Sequence, residues 1–250
     1  MTQTPPLILG HRGARKYAPE NSIPAFKKAI SLSLDGVEFD VMSTLDGLPV
    51  VVHDDNLHKL TGQDIHVHKT PYVDLQNIDI GRQYSSFYAG ETIPIFKEVL
   101  ALFKETSMLL NIEIKYQPSQ HKNFIRRVLE MIEESGLAGQ VIISSFNREM
   151  LYRIGRAAPH LKRSLLLHQT SFFFVNAVFF ASMLAVNGLN PHISRLNKYS
   201  MRYAQTRGFY VITWTANSVE EIEKAVKFGV NGIITDEPVL AREILKKYYG

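Results

Sequence analysis

The chain has 250 residues, 45% hydrophobic and 21% charged, which fits a globular protein with a large buried core and excludes a disordered chain. Its net charge is +4 and no basic run exceeds two residues, so a nucleic-acid partner is not expected, although anionic substrates or acidic lipid headgroups would be tolerated. Cysteine is absent, which excludes a disulfide framework and thiol chemistry and fits a reducing compartment.

Residues 1–6 have no positive region, and the apolar Leu7-Ile8-Leu9 that follows is too short for a signal peptide, so a cytoplasmic protein is expected. Residues 7–10 read as the first strand. Asn21 or Ser22 caps a helix running to about Ser33, with Ile23, Phe26, Ile30 and Leu34 at helical spacing. The second strand, 36–42, turns at Leu45-Asp46-Gly47 into 49–53, a hairpin-like excursion. Residues 56–92 then break the rhythm. They are polar, rich in Tyr and turn residues, and too long for an ordinary loop of about 2–6 residues. They read as an insertion after the second strand, a cap at the catalytic end. Strands at 108–114, 140–145, 163–167, 187–190, 209–214 and 232–235 alternate with helices at 94–104, 122–135, 148–157, 172–185, 198–206, 219–227 and 238–248. Eight βα units in a chain of this length make an α/β fold, a (β/α)8 TIM barrel forming one domain over 1–250. The nearest approach to a membrane span, 172–186, carries Asn176 and Ser182 and falls short.

Glu38 and Asp40 stand two apart on a strand, so they share one face, while Phe39 and Val41 face packed helices. Two carboxylates side by side in a barrel interior repel, and both stay ionised only with a cation between them. Glu113 ends the next strand of the barrel, where Asn111, Glu113 and Lys115 share a face. Three carboxylates from neighbouring strands make an oxygen-donor site suited to Mg²⁺ or Ca²⁺. His11 and His53 each end an apolar run. They can divide acid and base work or ligate a metal, and the oxygen donors already at hand favour acid and base. Arg12 offers a planar fork of donors and Lys115 a point charge, together able to hold a phosphate.

Seven motifs follow one another: His11-Arg12-Gly13, Pro19-Glu20-Asn21-Ser22, Glu38-Phe39-Asp40, His53-Asp54, Glu113-Ile114-Lys115, Trp214-Thr215-Ala216-Asn217 and Thr235-Asp236-Glu237-Pro238. The ordered set resembles the glycerophosphodiester phosphodiesterase family over essentially the whole chain. The resemblance implies a TIM barrel with its extra segment near 56–92, and Glu38, Asp40 and Glu113 as ligands of one divalent cation, Mg²⁺ or Ca²⁺. It implies His11 and His53 as general acid and base, in either order, with Arg12 and Lys115 on the phosphate. Asn21 would support the His11 turn beside the substrate pocket, and Trp214 would line the pocket where the alcohol lies. The implied reaction releases an alcohol and sn-glycerol 3-phosphate from a small-molecule glycerophosphodiester. Ser22, Ile95-Phe96 and Ala216 depart from the family's usual Thr, Thr-Leu and Val without removing a catalytic group. Asp236 reads as structural, tying the closing loop. His58, His66 and His68 have no counterpart role and read as solvated or cap residues, although His66 and His68 at i,i+2 could bind a metal in a strand.

Five phenylalanines fall within the nine residues 172–180. They read as a helix packed on the barrel or on a second subunit, and the subunit number stays open. A lipid-facing patch is the sharper alternative, which would make the protein a lysophospholipase D acting at a membrane surface. A barrel that binds phosphodiesters without turnover is disfavoured by the presence of both histidines and all three carboxylates.

Overall fold

Burial on both faces explains why apolar residues dominate the outward-facing positions of the strands. The computed structural model describes residues 4–117, 121–169 and 174–250. In it β1 (Leu7–His11), β2 (Gly36–Ser43), β4 (Leu109–Ile114), β5 (Val141–Ser145), β6 (Lys162–Leu167), β7 (Gly188–Pro191), β8 (Tyr210–Thr213) and β9 (Gly232–Thr235) run parallel. β1 pairs with both β2 and β9 and so closes the ring. β3 (Pro49–Val51) returns antiparallel along β2, completing the hairpin.

The helices α1 (Ile23–Ser31), α4 (Phe96–Leu102), α5 (Phe124–Ser135), α6 (Arg148–Ala157), α7 (Phe174–Met183), α8 (Lys198–Thr206), α9 (Val219–Phe228) and α10 (Pro238–Tyr249) return between the strands. This is a (β/α)8 barrel. Ser22, not Asn21, caps α1: its Oγ accepts from the Ala25 N–H, and Pro24 opens the first turn. Between strands and helices, Phe26 meets Phe39 and Phe103 edge-on with ring centroids 5.3 and 5.9 Å apart. Inside the ring, Leu9, Ile142, Ile212 and Ile234 form a plug that floors the barrel mouth.

Residues 56–92 contain two short helices, α2 (His58–Thr61) and α3 (Tyr72–Leu75), and 3₁₀ turns at Val67–Lys69 and Ser86–Tyr88. Leu57, Val67, Leu75, Ile80 and Ile93 bury against Met42, Val50 and Val52 as a separate small core. The Tyr84 and Tyr88 hydroxyls donate to the carbonyls of Lys16 and Tyr17 at 2.7 and 2.9 Å, tying the segment to the loop after β1.

The Phe-rich helix is shorter than 172–185, and 170–173, including Phe172 and Phe173, lie outside the described residues. Phe179 and Met183 of α7 are exposed, and the Arg148 guanidinium lies 4.1 Å from the Phe180 ring centroid. Among the described residues no helix is long and apolar enough to cross a membrane.

Candidate active site

β1 ends at His11, and the chain turns at once through Arg12 and Gly13, both at positive φ (50° and 84°). A Cβ at Gly13 would meet the Ala25 Cβ at 2.9 Å, and one at Gly10 would lie 2.2 Å from the Gly13 carbonyl oxygen. The turn therefore needs glycine at both points. Asn21, left-handed at φ 56°, locks the turn by donating its N–H to the Arg12 carbonyl at 3.0 Å. Its side chain steadies Asp40, Nδ2 donating to Oδ2 at 2.9 Å.

β2 and β4 pair with Asp40 opposite Glu113 and Glu38 opposite Asn111. Strand alternation therefore turns these four side chains inward and Phe39, Val41, Ile112 and Ile114 into the outer core. Oxygens of Glu38, Asp40 and Glu113 come within 4.8 Å of one another. Lys115 Nζ lies 3.0 Å from Asp40 Oδ1 and 2.8 Å from Glu113 Oε1. Arg12 Nη1 donates to Glu20 at 2.6 Å, while its buried Nε has no hydrogen-bond acceptor among the described residues.

Burial raises the Glu38 carboxyl well above its ordinary pKa, and the charges of Asp40 and Glu113 add to the rise. Burial also lifts Glu113, to about 7, against the pull of Lys115. Asp40 moves the other way: burial opposes ionisation, but Lys115, His53 and Arg12 hold it at about 2. Three crowded carboxyls, two of them pushed toward protonation, are short of positive charge. Their oxygen donors fit a hard divalent cation.

His11 Nδ1 is 2.7 Å from Asp236 Oδ1, and His53 Nδ1 is 2.7 Å from Asp54 Oδ1. An ionised carboxylate only accepts, so each imidazole donates from Nδ1 and keeps Nε2 for other work. Burial, then the nearby Arg12 and Lys115 charges, lowers the His53 pKa against the pull of Asp40; burial and Arg12 lower that of His11 against Asp236. The two imidazoles, three carboxylates, Arg12 and Lys115 line one cavity of about 170 Å³, walled also by Phe146, His168 and Trp214. The Trp214 indole donates to the Asn190 carbonyl at 2.7 Å, and its ring centroid lies 5.6 Å from that of Phe146.

The profile of the glycerophosphoryl diester phosphodiesterase family matches residues 11–240. A glycerophosphodiester phosphodiesterase of Caldanaerobacter subterraneus is 34% identical over 241 residues, 96% of this chain and 98% of that one. The chain belongs to this phosphodiesterase family. A solved Oleispira antarctica phosphodiesterase, in complex with the product sn-glycerol-3-phosphate, matches with a TM-score of 0.89 at 26% identity over 97% of each chain. A lysophospholipase D of Homo sapiens is 26% identical over 96% of this chain and 86% of its own.

In this member of the phosphodiesterase family, three expectations change. Asn21 does not line the cavity; it is buried behind Asp40 and fixes that carboxylate. Asp236 is more than a loop tie, because it holds His11 while accepting from Asn217 Nδ2 at 2.8 Å. His66 and His68 are not simply solvated, since both ring Nδ1 atoms lie within hydrogen-bond distance of Asp55. Sequence reasoning also misses Phe146 and His168. Each directly follows the last residue of a strand, β5 and β6, which is the same signal that marks His53 and Lys115 as candidates.

Proposed function

We propose that the protein hydrolyses glycerophosphodiesters to an alcohol and sn-glycerol 3-phosphate, with one divalent cation. One observation carries this reading. Two imidazoles, each anchored through Nδ1 by an aspartate, line the same cavity as three clustered carboxylates and two cationic side chains. The product bound in the Oleispira antarctica relative supports the substrate class.

Glu38, Asp40 and Glu113 would hold Mg²⁺ or Ca²⁺, which when bound withdraws charge from the phosphate oxygens. Arg12 and Lys115 face the same phosphate and steady the charge that grows on it during displacement. One histidine takes a proton at Nε2 from the attacking water, whose oxygen forms the new bond to phosphorus as the bond to the alcohol breaks. The other, protonated, gives its proton to the leaving alkoxide. Asp54 and Asp236 orient the rings and stabilise whichever imidazolium forms. The wall of Phe146 and Trp214 receives the alcohol.

The test is choline release by the purified protein from glycerophosphocholine and, in parallel, from lysophosphatidylcholine, with Mg²⁺, Ca²⁺ or EDTA. Fast, chelator-sensitive release from the water-soluble diester is expected. Release from the lipid alone would replace this reading with a lysophospholipase D, and EDTA-resistant turnover would remove the cation from it.

A further inference from the structure

The 56–92 segment brings together a second set of metal-ligating side chains that the chemistry above does not use. Asp55 Oδ2 is 2.7 Å from His66 Nδ1, and Asp55 Oδ1 is 2.6 Å from His68 Nδ1. A 3₁₀ turn at Val67–Lys69, rather than a strand, produces this convergence, and the Val67 N–H donates to the Asp55 carbonyl at 2.9 Å. Donor atoms of Asp55, His66 and His68 all lie within 4.8 Å of one another.

Two further groups already orient the carboxylate. The His68 N–H and Gln117 Nε2 donate to Asp55 Oδ1 at 3.0 and 2.8 Å, so Oδ2, which meets the His66 ring, is the oxygen that can turn to a cation once that contact opens. Gln117 is only 7% exposed, yet its Oε1 has no hydrogen-bond partner among the described residues. The amide that carries this unpaired oxygen is joined to the cluster through Nε2. Two imidazoles and one carboxylate form a borderline donor set, suited to Zn²⁺ or Co²⁺ rather than to Mg²⁺ or Ca²⁺. Tetrahedral bonds of about 2.0–2.1 Å would need donors about 3.3 Å apart. The present hydrogen-bonded contacts must therefore open by several tenths of an ångström, and the partly exposed His66 and His68 rings have room to move.

We propose that Asp55, His66 and His68 form a second cation site, for Zn²⁺ or a similar transition-metal ion, with the Gln117 amide holding the Asp55 carboxylate. The site joins the 56–92 segment to the chain just past His53-Asp54 and to the loop just past Lys115, so a bound ion staples that segment to the barrel rim. It does not depend on the phosphodiesterase reading, and the experiment can fail for one without failing for the other.

The full chain is stripped with chelator, saturated with Mg²⁺, and then followed by Zn²⁺ dialysis and by visible spectroscopy during Co²⁺ titration. One Zn²⁺ per chain retained in excess Mg²⁺ is expected, together with the intense cobalt bands of a low-symmetry nitrogen–oxygen site. His66→Ala and His68→Ala should lose the bands, and Glu38→Gln should keep them. Gln117→Leu should weaken Zn²⁺ binding about 10- to 100-fold. Failure of the wild-type chain to retain Zn²⁺ in excess Mg²⁺ would overturn the proposal without any variant. So would bands that survive both histidine variants and vanish in Glu38→Gln.

Discussion

An imidazole in this cavity is defined by what holds its far nitrogen. His11 and His53 are each committed through Nδ1 to an aspartate, and both have lowered pKa values set first by burial. His11→Ala or His53→Ala should each lower kcat/KM by about 10²- to 10⁴-fold while Mg²⁺ or Ca²⁺ binding, read by calorimetry, persists. Either variant turning over at the wild-type rate would remove that residue from the chemistry. Asp236 raises the His11 pKa against burial, so Asp236→Asn should lower it further. The limb of the pH–rate profile that His11 governs then moves to lower pH. If the acidic limb moves, His11 is the base; if the alkaline limb moves, it is the acid. His11, His53 and Glu113 are marked as candidates by their places at or near strand ends, and Glu38 and Asp40 by strand alternation, while their roles are sharpened by the family resemblance. The partnership of His11 with Asp236 has no such signal, since the two are 225 residues apart in the chain.

At the scale of elements, β2 and β4 hold the charge. Their register sets Asp40 beside Glu113, and the cost of that crowding appears as carboxyls raised by burial, Glu113 to about 7. Binding a cation requires those protons to leave. For the Glu113 proton, affinity for Mg²⁺ or Ca²⁺ should therefore rise about tenfold per pH unit up to about pH 7, and the raised Glu38 carboxyl adds to the rise. Asp40, held at about 2, is ionised throughout that window and adds no slope. Calorimetric titration at about pH 6 and about pH 8 checks the sign; equal affinities at the two would mean that the carboxyls are already ionised in the free protein. The strands themselves are legible because each is a short apolar run, and their ends shift by a residue or so where hydrogen bonding outlasts hydrophobicity, as at His11. The 56–92 segment is legible only as an interruption. Leu57, Val67, Leu75, Ile80 and Ile93 build its core at irregular spacing, which carries no helical or strand period.

For the whole molecule, a cation that binds only the folded ring stabilises it. At about 100 times its Kd this contributes about 2.7 kcal/mol. For a chain of this size the melting temperature should then rise by about 5–10 °C on adding saturating Mg²⁺ or Ca²⁺ to chelated protein. Asp40→Asn should abolish most of that gain in the same melt.

Because β1 closes the ring against β9, the first and last strands of the barrel meet beside the site. The three carboxylates proposed to hold the cation lie between residues 38 and 113, whereas the His11–Asp236 bond spans the full circuit. Joining distant segments is the entropically costly, late step in assembling such a topology. A nascent chain therefore owns its carboxylates long before it owns the partner of His11. In rising denaturant, release of the last βα unit should silence turnover while Glu38, Asp40 and Glu113 still bind their ion, so the proton-transfer apparatus reports on ring closure and the cation site does not.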